Sequence, residues 1–352
     1  MLAISGAFNF IPSPEQGAFT VRVVTLEEHF SVPELVHEID PQIIAARGWP
    51  SPEQRPPEMA HIEELKEVGP KRLAGMDEAG VTVQVLSASG PGADLLGPDR
   101  SPQFARSYND WLKQAIVKHP ERFAGFAHLP MTAPQAAADE LERCVRDLGF
   151  CGALINGMTD NRFLDDPFFD PILARAEALD VPIYLHPNLP PEAVRKSYYE
   201  GLPGPTGFLL SSPGWGWHAE TAVHVLRLVL AGTLEKHPRL QLIIGHMGEG
   251  LPAMLARVDN IFSNAIAKYL KRTVSGTILE QVWITTSGFF TLPPFMAALT
   301  SFGVDRILFS VDYPFSQNRP AMKFLADLPV SPADRRKIAH ENADKLLKLQ
   351  AV

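Results

Sequence analysis

Short apolar runs alternate with longer segments whose apolar residues recur every third or fourth position, and the alternation repeats along the whole chain. The runs near 22–28, 81–86, 123–129, 149–156, 182–186, 240–246, 282–286 and 307–311 predict eight strands. They are apolar nearly throughout, which predicts strands covered on both faces, as in a parallel sheet. Helical spacing predicts helices over Met59–Ala79, Pro102–Lys118, Ala133–Leu148, Pro167–Leu179, Trp217–Lys236, Leu251–Tyr269, Pro293–Phe302 and Pro332–Leu347. In Ala133–Leu148 the apolar residues Ala137, Leu141, Cys144, Val145 and Leu148 fall on one face, with charges between them. Strand–helix alternation of this length predicts an α/β fold closed as a (β/α)8 TIM barrel. An open doubly wound sheet is the alternative, weakened because no glycine-rich phosphate fingerprint follows any strand.

Residues 1–20 read as an N-terminal extension and 21–352 as a single barrel domain. Two stretches exceed a minimal barrel: Ser31–Pro57, rich in proline, and Pro187–Trp217, rich in Pro, Gly and aromatics. Both are expected to be long loops after strands, on the face where barrels place their chemistry, and so candidate lids. The chain has 352 residues, 45% hydrophobic content and a formal charge of −8 with both signs interspersed. That balance gives no footprint for nucleic acid or an anionic membrane. No apolar stretch reaches the roughly 18 residues of a membrane span, and the N-terminus lacks the pattern of a secretory signal. Two cysteines, Cys144 and Cys151, make no disulfide framework, so a cytoplasmic location is expected.

Polar residues of metal-ligand type stand where four of the apolar runs end. VRVVTLEEH ends on Glu27, Glu28 and His29, VPIYLHP on His186, LQLIIGHMGE on His246 and Glu249, and ILFSVDYP on Asp312. In a regular strand Glu27 and His29 share one side and Glu28 takes the other, which favours Glu27 with His29 as ligands. Glu27, His29, His186 and Asp312 supply two imidazoles and two carboxylates, a set suited to Zn2+, Mn2+ or another divalent ion. A lone strand-end His is more often a packed histidine, and only the convergence of the set argues otherwise. Glu249, three residues past His246, can accept its second N–H and orient it, or simply cap the following turn. Arg257 is a candidate contact for a substrate anion, in its own or a neighbouring subunit, or a plain surface residue. His128 and Asn156 close the third and fourth strands and are placed to line the mouth or to satisfy loop backbone. Trp215, Trp217, Phe289, Phe290 and Phe315 could form an apolar slot for a flat ring, or belong to the core. Among the other histidines, His218 stands out for its place in the Trp215-Gly216-Trp217 stretch.

From about Val23 to Leu347 these segments resemble the amidohydrolase superfamily, in the amidohydrolase 2 branch that includes metal-dependent o-hydroxybenzoate decarboxylases. The resemblance rests on LEEHF, RCVRDLGFCGALING, WGWHAETAVHVLRL, HPRLQLIIGHMGEGLP, ITTSG and DRILFSVDYPF. Many superfamily members begin with H-x-H; the E-x-H here is similar to the decarboxylases of the gamma-resorcylate and 2,3-dihydroxybenzoate type. The resemblance implies one divalent metal on Glu27, His29, His186 and Asp312, a substrate-facing His246–Glu249 dyad, and Arg257 donated across a subunit interface. It implies reversible, non-oxidative release of CO2 from a small aromatic carboxylic acid, with Asp312 as the acid, no organic cofactor, and a homodimer or homotetramer. Metal-assisted hydrolysis of a lactone or amide is the alternative on the same scaffold. Departures from the branch fall at SASGPGAD, His128, Phe289-Phe290 and Ser316, which put the ring substitution of the substrate in question rather than the metal set.

Overall fold

The computed structural model describes residues 21–51 and 54–349, and the predicted N-terminal extension lies outside them. Eight parallel strands run in sequence order: β1 (Val24–Phe30), β2 (Val83–Ala88), β3 (Phe123–Gly125, resuming as Ala127–His128), β4 (Ala153–Asn156), β5 (Ile183–His186), β6 (Leu242–Ile244), β7 (Val282–Thr285) and β8 (Ile307–Leu308). β3 changes neighbours at its break: Phe126 N–H donates to Leu86 O of β2, and Ala127 N–H to Gly152 O before β4. A parallel bridge between Leu26 and Ser310 closes the ring, giving the TIM barrel that the alternation predicts.

Two buried layers follow from strand alternation. Ile183 and Leu185 face outward into a large cluster with the helices, whereas Tyr184 faces inward with Val24, Leu26, Val85, Leu154, Ile243 and Leu308. Ala343 and Leu347 of the last helix (Asn342–Leu347) join this inner cluster and plug the barrel. Continuing the inward series past the plug leads from Leu154 to Asn156, from Tyr184 to His186, and from Leu308 to Asp312. The polar site therefore stands directly on an apolar floor.

The predicted helix over Met59–Ala79 is two helices, Ile62–Leu65 and Pro70–Ala79, because Pro70 can only start a helix. Val274–Gln281 and Asn318–Asp327 are helices that periodicity did not reveal. The stretches expected as loops carry helices of their own, Pro33–Val36 and Pro41–Arg47 in the first, Glu192–Tyr198 and Thr206–Ser211 in the second. Among the described residues no helix is long and apolar enough to cross a membrane.

Candidate active site

β1 is not the regular strand assumed from sequence. Thr25 lies opposite Gln84 but Glu28 opposite Leu86, so β1 spends one residue more than β2 between the two pairings. The extra residue is a bulge, with Glu27 at φ 63°. Without it, alternation from Val24 and Leu26 would point Glu28 inward. With it, Glu27 and His29 face the mouth, and Glu28 turns to the seam between β1 and β8. There Glu28 accepts the N–H groups of Val311 (3.0 Å) and Tyr313 (3.3 Å), tying the strand ends together. Burial, only partly offset by these donors, pushes the Glu28 carboxyl up to about 8.

Glu27 Oε1 lies 3.3 Å from His186 Nε2 and 3.4 Å from His246 Nε2, and His29 Nε2 lies 3.3 Å from Asp312 Oδ1. Atoms bound about 2.0–2.2 Å from one cation stand roughly 2.8–3.6 Å apart, so these separations suit a shared ion. Glu27 Oε1 is buried and has no hydrogen-bond partner, an arrangement costly for a carboxylate unless a cation faces it. Burial alone would raise the Glu27 pKa, but His246, then His186 and His29, hold it well below the usual carboxylate range. The donor set and the orphaned oxygen fit a divalent cation.

Around this set the backbone and hydroxyl groups are tightly specified. Glu27, His246, Glu249 and Asp312 all adopt left-handed backbone, which non-glycine residues disfavour and which recurs at active sites. A Cβ at Gly245 would come within 2.7 Å of Glu27 Oε2, so only glycine leaves room for that carboxylate. The Tyr184 hydroxyl, rising from the inner cluster, donates to Glu27 Oε2. Tyr184 also lies 3.1 Å from Thr285 Oγ1, which is 2.8 Å from Ser287 Oγ, and Ser287 Oγ accepts His246 N–H at 2.9 Å. On β1, His29 Nδ1 meets Ser87 Oγ at 3.3 Å, and Arg72 donates to the His29 carbonyl at 2.6 Å.

His246 Nδ1 is 2.8 Å from Glu249 Oε1, and His218 Nδ1 is 2.5 Å from Glu249 Oε2. One carboxylate thus joins two imidazoles. Burial by itself would lower the His246 pKa and raise that of Glu249. Their mutual attraction reverses both, aided by Glu27 for His246 and by His218 for Glu249. His218 is the residue whose role sequence reading left unassigned; a WGWH stretch signals a site but not a partner. Its other nitrogen faces Pro213 O at 3.0 Å.

His29, His186, His218, His246 and Asp312 line a cavity of about 290 Å3. A void of about 150 Å3 already holds benzene, so one substituted ring fits. Asn156, Phe289 and Phe315 line it, as does Trp217. Phe289 meets His218 and His246 edge-on, with centroids 5.4 and 5.9 Å away, and Phe315 meets His29 at 5.7 Å. Four of the sequence candidates for substrate contact do not line this chain's cavity. Trp215 is 61% exposed and outside the cavity, because the helix Gly216–Leu230 begins between the two tryptophans and turns only Trp217 inward. His128 is buried behind the loop after β2, where its Nε2 accepts Ala93 N–H at 2.9 Å. Arg257 is exposed on the helix Leu255–Ile266 and does not line this chain's cavity. Phe290 packs on Phe324.

Residues 45–349 match the amidohydrolase family model. The gamma-resorcylate decarboxylase of Rhizobium sp. (strain MTP-10005) is 39% identical over 338 residues, covering 93% of this chain and 98% of that protein. A crystal structure of 2,6-dihydroxybenzoate decarboxylase complexed with 2,6-dihydroxybenzoate superposes with a TM-score of 0.81 at 37% identity, covering 94% of this chain and all of that one (100%). The dihydroxybenzoic acid decarboxylase of Polaromonas sp. JS666, with bound manganese and 2-nitroresorcinol, superposes at TM-score 0.81 with 36% identity, over 95% and 98% of the two chains. By sequence, barrel and site together, this chain belongs to the amidohydrolase 2 family, among its metal-dependent decarboxylases of aromatic acids.

Proposed function

We propose that the cavity is where this aromatic-acid decarboxylase removes CO2 from an ortho-hydroxybenzoate, with Glu27, His29, His186 and Asp312 holding one Mn2+ or Zn2+. The observation that carries the reading is the buried, partnerless Glu27 Oε1 between two imidazoles at the base of a ring-sized cavity. When bound there, the cation supplies positive charge to the substrate's carboxylate and neighbouring phenol oxygen.

Release of CO2 from an aromatic ring requires a proton on the ring carbon that bears the carboxylate. Asp312 stands beside His29 at the cavity's edge and is the group we assign to deliver it. Protonation interrupts the aromatic system; the ring–carboxylate bond then breaks, its electron pair restores the ring, and CO2 leaves. The ring itself takes up the electrons, so the chemistry calls for no organic cofactor. His246, oriented by Glu249 and through it linked to His218, is suited to polarise the phenol oxygen or to return a proton to Asp312. Phe289 and Phe315 offer apolar edges to the ring and limit water. Arg257 shares its helix with exposed Ile261, next to exposed Met254 at the helix start, a surface suited to a neighbouring subunit, where the guanidinium would meet a neighbour's site.

Protein reconstituted with each metal and given a panel of hydroxybenzoates should release CO2 with the ring intact; a ring-opened or cleaved acid instead would favour the hydrolytic reading. Asp312→Asn should lower kcat by about 10³-fold or more, in the range of general acid catalysis. Metal content measured alongside separates loss of the acid from loss of the ion. Full turnover in a metal-replete Asp312→Asn protein would overturn the proton assignment.

A further inference from the structure

The SASGPGAD stretch after β2 and His128 at the end of β3 touch each other in the fold. His128 Nε2 accepts the N–H of Ala93, and its own backbone is held on both sides by Asn109, with bonds of 2.8 and 2.9 Å. A Cβ at Gly92 would stand 2.6 Å from the His128 ring, so glycine there lets the loop lie directly on the imidazole. Burial pushes the His128 pKa down to about 4, which keeps Nε2 available as an acceptor. The next residue along the loop is Asp94, whose placement is thereby fixed from behind.

Asp94 lines the catalytic cavity, and among the described residues it alone also lines the neighbouring cavity that holds Arg47 and Arg195. The backbone N–H groups of Gly92 and of Asp94 itself steady its carboxylate, while Oδ1 is buried without a geometric hydrogen-bond partner. The Arg47 guanidinium is spent on the carbonyls of Leu189 and Pro190, so it attracts Asp94 without bonding to it. A buried, unpaired carboxyl oxygen in the wall of a ring-sized cavity needs a donor that arrives with the ligand. In the proposed reading the carboxylate and adjacent phenol of an ortho-hydroxybenzoate would be turned toward the cation that Glu27, His29, His186 and Asp312 hold, so a donor for Asp94 must come from elsewhere on the ring.

We propose that Asp94, positioned by His128 through Ala93, is the specificity residue that accepts a hydrogen bond from an additional ring hydroxyl of the substrate. This rests on the decarboxylase reading of the cavity. The natural substrate is then a dihydroxybenzoate rather than a monohydroxybenzoate. A site built to bond a hydroxyl discriminates against the analogue lacking it because its own polar group is left unpaired.

The test compares kcat/KM for 2-hydroxybenzoate with that for its 2,3-, 2,4-, 2,5- and 2,6-dihydroxy relatives, in metal-replete wild type, Asp94→Ala, Asp94→Asn and His128→Leu. Wild type should prefer one dihydroxy isomer over 2-hydroxybenzoate by roughly tenfold to a hundredfold. Asp94→Ala should erase that preference, bringing the dihydroxy isomer to within about threefold of 2-hydroxybenzoate. Asp94→Asn keeps an acceptor oxygen and the shape of the side chain, and should retain part of the preference. His128→Leu should lower the preference in the same sense as Asp94→Ala. Equal losses on every substrate in the folded Asp94→Asn protein, or no preference in wild type, would overturn the proposal and leave the decarboxylase reading intact. Wild type that releases CO2 from no member of the panel would overturn both.

Discussion

On the floor of the cavity, formed by strand ends, charged and polar side chains converge at distances that suit a cation: Glu27 meets the imidazoles and Tyr184, His29 meets Asp312 and Ser87, His246 meets Glu249, and the unpartnered Glu27 Oε1 is the atom left for an ion. On the wall, formed by the loops after β1, β2 and β5, several polar atoms lack a hydrogen-bond or ion-pair partner among the described residues. Trp217 Nε1 and Asp94 Oδ1 are buried without partners, and Arg55 has no ion pair among the described residues. Pairing on the floor is the arrangement expected of groups that hold an ion and move a proton, since geometry there must be set before the substrate comes. Unpaired groups on the wall are expected of surfaces completed by the ligand itself. If the contrast is functional, changes to the floor should alter metal and kcat, and changes to the wall should alter KM and choice of substrate.

Tyr184→Phe tests the floor without touching a ligand. The hydroxyl that holds Glu27 Oε2 is lost and the ring stays in the inner cluster. Metal affinity, measured by competition with a chromogenic chelator, should fall by about tenfold to a hundredfold, as for outer partners of ligands elsewhere. KM in excess metal should stay within about twofold. An unchanged affinity would show that Glu27 is held by the bulge and Gly245 alone.

Trp217→Phe tests the wall. It removes the unpartnered Nε1 donor and keeps an aromatic ring beside His186, whose centroid is 6.3 Å away. KM should rise about threefold to tenfold, the worth of one hydrogen bond, with kcat and metal content little changed. A fall in kcat with KM constant would move Trp217 to the side of the chemistry and blur the division.

The same division explains what sequence could reveal. Strand ends announce themselves, because an apolar run that stops on Glu, His or Asp leaves few places for those side chains except the mouth of the barrel. Even so, the Glu27–His29 pair faces the cavity for a reason other than the one sequence suggests. A bulge supplies the turn, and a bulge depends on pairing with β2 and β8, which no local pattern records. The wall was harder to read. Whether Trp215 or Trp217 faces inward depends on where one helix starts, and the His128–Ala93 bond joins residues from separate strand–loop units through a backbone N–H of no distinctive type. His218 gave its position away by its aromatic neighbours, but its partner Glu249 comes from another loop.

His224 offers the smallest and sharpest contrast, since it lies on the same helix as Trp217 and His218 but, among the described residues, pairs with no carboxylate. Its Nε2 accepts Leu164 N–H at 2.7 Å, and burial, with Arg227 nearby, pushes its pKa down to about 3. A native state that keeps this imidazole neutral excludes a proton that the unfolded chain takes up below about 6.5. The corresponding stability is complete above that pH and is lost as pH falls toward the native value. At about 1.4 kcal/mol per pH unit, His224 should account for roughly 2 kcal/mol of the stability lost between pH 7 and pH 5. His224→Gln can keep an acceptor near Leu164 and cannot titrate. Urea unfolding of wild type and variant, both metal-saturated, should therefore show a shallower decline for the variant over that interval. Parallel declines would mean that His224 is not kept neutral by its burial and its bond to Leu164, and that other groups set the loss of stability over this interval.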